Sequence, residues 1–113
     1  MKYMLIHTLP PSLELSEAQA AEVGASFQSW LEEMISRGVS LHGSRLRPVS
    51  DATTVRVRDG EVLVADGPFA ETKEQIAGYD VIECADLDDA LDVASRHPTA
   101  RLGSIEVRPL WEQ

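Results

Sequence analysis

Residues 2 to 8 read KYMLIHT, which sets Tyr3, Leu5 and His7 on one face of an extended chain and Met4 and Ile6 on the other. Side chains of a strand point alternately to opposite faces, so a run that is apolar on both sides belongs in the middle of a sheet with cover on each side. His7 stands near the end of this run. Leu9-Pro10-Pro11-Ser12 stops it, since proline cannot donate to a ladder and restricts the residue before it.

The rest of the chain must supply that cover. Ser16-Glu17-Ala18-Gln19 has the spacing of a capping box, and Val23, Phe27, Trp30, Leu31, Met34 and Ile35 follow at intervals of three and four. This predicts an amphipathic helix over 17–37, with Gly38 as its stop and its aromatic stripe as core. Residues 39–47 alternate as a strand with one imperfectly apolar face, and Pro48-Val49-Ser50-Asp51 is a turn. The β-prone runs 53–58 and 61–65 flank Asp59-Gly60, a strong hairpin signal. A strand is expected over 78–84. Asp86 then caps a second helix with Leu87, Ala90, Leu91 and Ala94 on its apolar stripe, Arg96 and His97 in its last turn and Pro98 at its end. Residues 103–108 complete the pattern as an edge strand. The order is that of an α+β, ferredoxin-like β-α-β-β-α-β fold carrying an inserted hairpin.

At 113 residues the chain fits one domain, with a folded surface of roughly 6,100 Å² expected for its mass. A net charge of −9 argues against nucleic-acid and anionic-membrane surfaces, which call for basic patches. No stretch reaches the roughly 18 apolar residues of a membrane span, and the first residues lack a signal-peptide core, so a cytoplasmic protein is expected. The one cysteine, Cys84, rules out an intramolecular disulfide and reads as a buried strand residue. Two helices cover only one face of a sheet about four strands wide, and the first strand is apolar on the other face too. A homodimer joined sheet face to sheet face is therefore expected.

Asp66-Gly67-Pro68-Phe69 puts a carboxylate at the mouth of a turn that Gly67 permits and Pro68 stiffens. Together with the following Glu-Thr-Lys-Glu it resembles the signature of the YCII-related family, in the branch named for its DGPF motif; the resemblance runs from KYMLI through to GSIEVRP. It implies a ferredoxin-like fold, dimers of the α+β barrel type, and, in some members, a His-Asp pair in a cleft. It also associates the branch with extracytoplasmic-function sigma factors.

The polar residues on core-like strands are the candidate site. Asp80 interrupts an otherwise apolar strand and must face solvent, a partner or a cleft. Its strand is expected beside the first, so Asp80 can orient an imidazole, either His7 or His42, for acid-base work. Asp66, Asp80, His42 and His97 are the catalytic candidates. Arg45, Lys73, Phe69 and His7 are the candidates for holding a small acidic ligand. Plainer readings stand beside these: Asp66 as a turn residue bonding its own backbone, His42 as a structural histidine, and His97, with Pro98, as a plain helix stop, against a ring whose protonated form the helix dipole stabilises. Three histidines without i,i+2 or i,i+4 spacing carry little metal signal, and no P-loop, dinucleotide fingerprint or nucleophile elbow is present, so no cofactor or metal is expected. Two functions fit: a small enzyme working on an acidic substrate, and a noncatalytic module that binds a ligand or a protein.

Overall fold

The computed structural model describes residues 1–68 and 74–112. Strand β1 is Lys2–Leu9, helix α1 Glu17–Ser36, β2 Ser40–Arg45, β3 Thr53–Arg58, β4 Glu61–Asp66, β5 Gln75–Glu83, α2 Leu87–Ser95, a short α3 Thr99–Leu102, and β6 Ser104–Pro109. Four strands form an antiparallel sheet in the order β2-β5-β1-β6, while among the described residues β3 and β4 pair only with each other. This is the ferredoxin-like α+β arrangement, with a hairpin inserted between its second and third sheet strands. The doubly apolar β1 lies centrally, between β5 and β6.

Local chemistry fixes the element ends. The Ser16 hydroxyl accepts from the Gln19 amide at 3.1 Å while the Gln19 side chain accepts from the Ser16 amide at 2.9 Å, closing the capping box. Asp86 accepts from the Asp89 amide at 2.9 Å and starts α2. Asp59 and Gly60 both take positive φ, the backbone of a two-residue hairpin turn. A single-turn 3-10 helix, Val49–Asp51, occupies the turn expected after Pro48.

The core lies between the helices and one sheet face. Tyr3 and Leu5 of β1 and Ile82 of β5 pack with Trp30 and Met34 of α1 and with Ala90 and Val93 of α2. The Trp30 indole donates to the Val93 carbonyl at 3.0 Å, tying the two helices together. Strand alternation turns Met4, Ile6, Tyr79 and Val81 to the opposite face, away from that cluster.

Several boundaries differ from expectation by a residue or two, β2 ending at Arg45 and not at residue 47 among them, and two differences shape the site. Strand β5 begins at Gln75, because β1 continues pairing past a bulge between His7 and Thr8, with Leu9 opposite Gln75. Helix α2 ends at Ser95 and not at His97, and the chain turns at Pro98 into α3, a turn of helix that the proline appeared to preclude. Proline can open a helix as readily as it closes one, since the first-turn N–H groups have no intrahelical partner.

Candidate active site

The site is built where β1 ends. His7 lies opposite Gly78 of β5, and Asp80, two residues further along β5, shares its face. The His7 Nε2 and the Asp80 carboxylate are 2.6 Å apart, and both residues are about 95% buried. A carboxylate accepts, so Nε2 is the donor in this bond, and in the neutral ring Nδ1 then holds the lone pair. That Nδ1 is buried without a hydrogen-bond partner among the described residues.

Asp80 has room because its ladder partner on β2 is Gly43. A methyl group on Gly43 would run into the carboxylate and lie 2.7 Å from the Tyr79 carbonyl oxygen. The small residues around His42 thus make room for Asp80. The register also decides the fate of His42. A bulge between Ser40 and His42 places His42 opposite Val81 and Gly43 opposite Asp80. An unbroken ladder would have set His42 against Asp80, but the extra residue sends it to the opposite face, against Tyr79 at 5.7 Å between ring centroids. The His42–Asp80 pairing considered from sequence does not form.

His97 completes the cluster. Its ring lies 4.3 Å from that of His7, with the edges of Trp30 at 4.7 Å and Phe27 at 5.6 Å. Its Nδ1 accepts from the Thr99 amide at 3.0 Å, which puts the ring proton on Nε2. Burial, and then the neighbouring His7, lower its pKa to about 3. Both effects oppose the dipole-stabilised protonated ring weighed from sequence, since His97 lies beyond the end of α2 in an apolar setting.

His7, Asp80 and His97 together have three potential ligand atoms within 4.8 Å of one another, which raises the question of a metal. The proton positions do not suit one. His97 Nδ1 is engaged by a backbone donor and His7 Nε2–H by Asp80, so of the ring nitrogens only His7 Nδ1 offers an unengaged lone pair in the neutral ring. Metal-bound histidines donate through their second nitrogen, whereas here that position on His97 would face another donor, the Thr99 amide.

The three residues open onto a cavity of about 400 Å³. Leu13, Val23, Phe27 and Leu31 supply apolar wall, and Arg45 of β2 lines it as well. Arg45 is exposed and makes no ion pair with the described residues, so its charge is available to a ligand. Asp66 is not part of this cavity. It ends β4, exposed, and its turn is held by Gly67, whose amide donates to the Ala52 carbonyl at 2.8 Å and whose carbonyl accepts from the Thr54 hydroxyl at 2.8 Å. The reading of Asp66 as bonding the backbone two positions on fails chemically, because Pro68 has no N–H. Phe69 and Lys73 lie outside the described residues. Sequence reasoning singled out His7, Asp80, His97 and Arg45, and the fold gathers these four. It missed Gly43 as the residue that admits Asp80; a glycine in a strand, where close approach of neighbours is common, was the available signal.

The family model of the YCII-related domain matches residues 1–113. An uncharacterised protein of Rhizobium meliloti (strain 1021) is 54% identical over 69 residues, 59% of this chain and 56% of that protein, so the chain spans just over half the length of this relative. Among solved structures, the 5-chloro-2-hydroxyhydroquinone dehydrochlorinase of Burkholderia phenoliruptrix AC1100, in complex with 2,5-dihydroxybenzoquinone, superposes with a TM-score of 0.55 at 13% identity, covering 100% of this chain and 96% of the other. That likeness is one of fold.

Proposed function

Given that the chain belongs to the YCII-related family, we propose that it is a small proton-transfer enzyme in which His7, oriented by Asp80, is the general base. The observation that carries this is the buried His7–Asp80 pair at 2.6 Å, whose second imidazole nitrogen is buried without a partner among the described residues, in a histidine that borders the cavity. A carboxylate on one nitrogen fixes the tautomer and offsets the charge that develops when the other nitrogen takes a proton. When Nδ1 abstracts a proton, the substrate's C–H or O–H bond breaks, its electron pair stays on the substrate, and an imidazolium–carboxylate pair results. His97 presents a neutral ring beside it and does not compete for the proton. The apolar wall and Arg45 suit a small, mainly apolar molecule with one anionic group. Acting on a hydroxylated ring, as the structural neighbour does by name, is one member of that class.

The test is exchange of substrate C–H for deuterium in heavy water, followed by NMR over a panel of small carboxylic acids and phenols that includes 5-chloro-2-hydroxyhydroquinone. Exchange of at least one compound is expected, falling on the order of 100-fold or more in Asp80→Asn and in His7→Gln. Compounds that bind in the cavity, yet undergo no exchange or turnover, would replace this reading with that of a noncatalytic binding module.

The assembly belongs to the same reading: the protein is a homodimer joined through the sheet face that bears Met4, Ile6, Tyr79 and Val81. Charged residues at positions 4 and 6 would suit a monomer; Met4 and Ile6 stand there instead. Sedimentation equilibrium at micromolar concentration should give a dimer, and a single species of 12.4 kDa would rule it out.

A further inference from the structure

The β3–β4 ribbon stands apart from the core. Its ladder sets Val55 opposite Val64 and Val57 opposite Val62, so four valines share one face, and they are 60–67% exposed. Two-stranded ribbons are marginal in water by themselves, and a face of β-branched residues gains its stability from being packed against something. The dimensions of the molecule record the same lack of cover. Its radius of gyration is 16.1 Å, against about 13 Å for a compact domain of this length. Its accessible surface of 8022 Å² exceeds the roughly 6,100 Å² expected for its mass by about 1,900 Å². A standard interface removes about 800 Å² from each partner, so the surplus is large enough to be covered by one macromolecule.

We propose that this arm docks, through its valine face, on the sheet face of a second copy of the chain that lies away from the helices, against the half-buried Met4, Ile6 and Tyr79, so that a twofold dimer exchanges arms. The inference rests on the dimer reading and adds the element that makes the contact. A second copy is favoured because the same chain carries both apolar surfaces, and twofold symmetry satisfies each of them twice. An arm-on-arm contact would leave the sheet face wet. The molecule is also thin, 47 × 43 × 19 Å, so two copies stacked by their broad faces bring arm and sheet into reach. Electrostatics points the same way. Two copies of charge −9 repel, so contact is best made through surfaces without carboxylates, and the four valines form one.

The test substitutes the arm where the core is not involved. In sedimentation equilibrium, Val57→Glu/Val64→Glu should raise the dimer dissociation constant at least 100-fold with the far-UV spectrum retained, while Leu63→Glu, on the opposite face of the arm, should change it by no more than a few-fold. An equimolar mixture of the valine double variant with Ile6→Lys should form heterodimers more tightly than either variant pairs with itself, because one native arm-to-sheet contact is restored. In the unaltered protein, amide exchange of the arm should slow as concentration rises through the dissociation constant. A valine double variant that dimerises normally, a mixture without heterodimer, or concentration-independent arm exchange would overturn the arm contact and leave the dimer standing. A wild-type monomer at micromolar concentration would remove both.

Discussion

His97 is a ring whose protonation opposes folding. Its pKa falls to about 3 in the native protein, against about 6.5 for an unconstrained histidine, so between these values the unfolded chain binds the extra proton and the native one does not. Stability is therefore complete above about pH 6.5 and declines as pH falls toward 3, with a slope of at most about 1.4 kcal/mol per pH unit from this group. Denaturant unfolding of His97→Asn, whose side-chain oxygen can still accept from the Thr99 amide, should show a shallower loss between pH 6 and pH 4 than the wild type; parallel curves would contradict the assignment. Gly43 has a different kind of constraint, since a methyl group there collides with the Asp80 carboxylate. Gly43→Ala should lower stability by about 1–3 kcal/mol, the usual range for overpacking, and abolish deuterium exchange by displacing Asp80 from His7. Cys84 is buried, and burial followed by the adjacent Asp89 pushes its thiol up to about 11, so it should resist aromatic disulfide reagents at pH 8 until the protein is unfolded.

At the level of elements, the two long helices are defined by their first turns and joined by Trp30. Ser16→Ala removes the oxygen that accepts the Gln19 amide and should cost about 1 kcal/mol in denaturant unfolding, with no change at the cavity. Trp30→Ala should cost about 3–5 kcal/mol, because it empties core volume and strips one wall from the His97 ring. The short α3 has a positional role, since the Thr99 amide at its start fixes the His97 tautomer. Among the described residues, no helix is long and apolar enough to cross a membrane.

For the whole molecule, charge and exposed apolar surface act against each other. Copies bearing −9 each repel over distances that salt screens, with a Debye length of about 10 Å at 0.1 M, while the apolar contacts proposed for the dimer do not weaken with salt. The dissociation constant should therefore fall as sodium chloride is raised from about 50 mM to 300 mM; a rise would mean that salt bridges hold the copies together. What the sequence determined by itself is what depends on neighbours along the chain: the capping box at Ser16, the Asp59-Gly60 turn, the Asp86 cap and the central place of a strand apolar on both faces. It determined the sheet order as well, because so few topologies satisfy those elements. The tertiary structure decided which polar side chains meet. One residue of bulge in β2 turned His42 away and brought Gly43 opposite Asp80, and the turn at Pro98 laid His97 against His7. Local patterns are blind to both, since strand side chains have a period of two and a single inserted residue reverses every face that follows it.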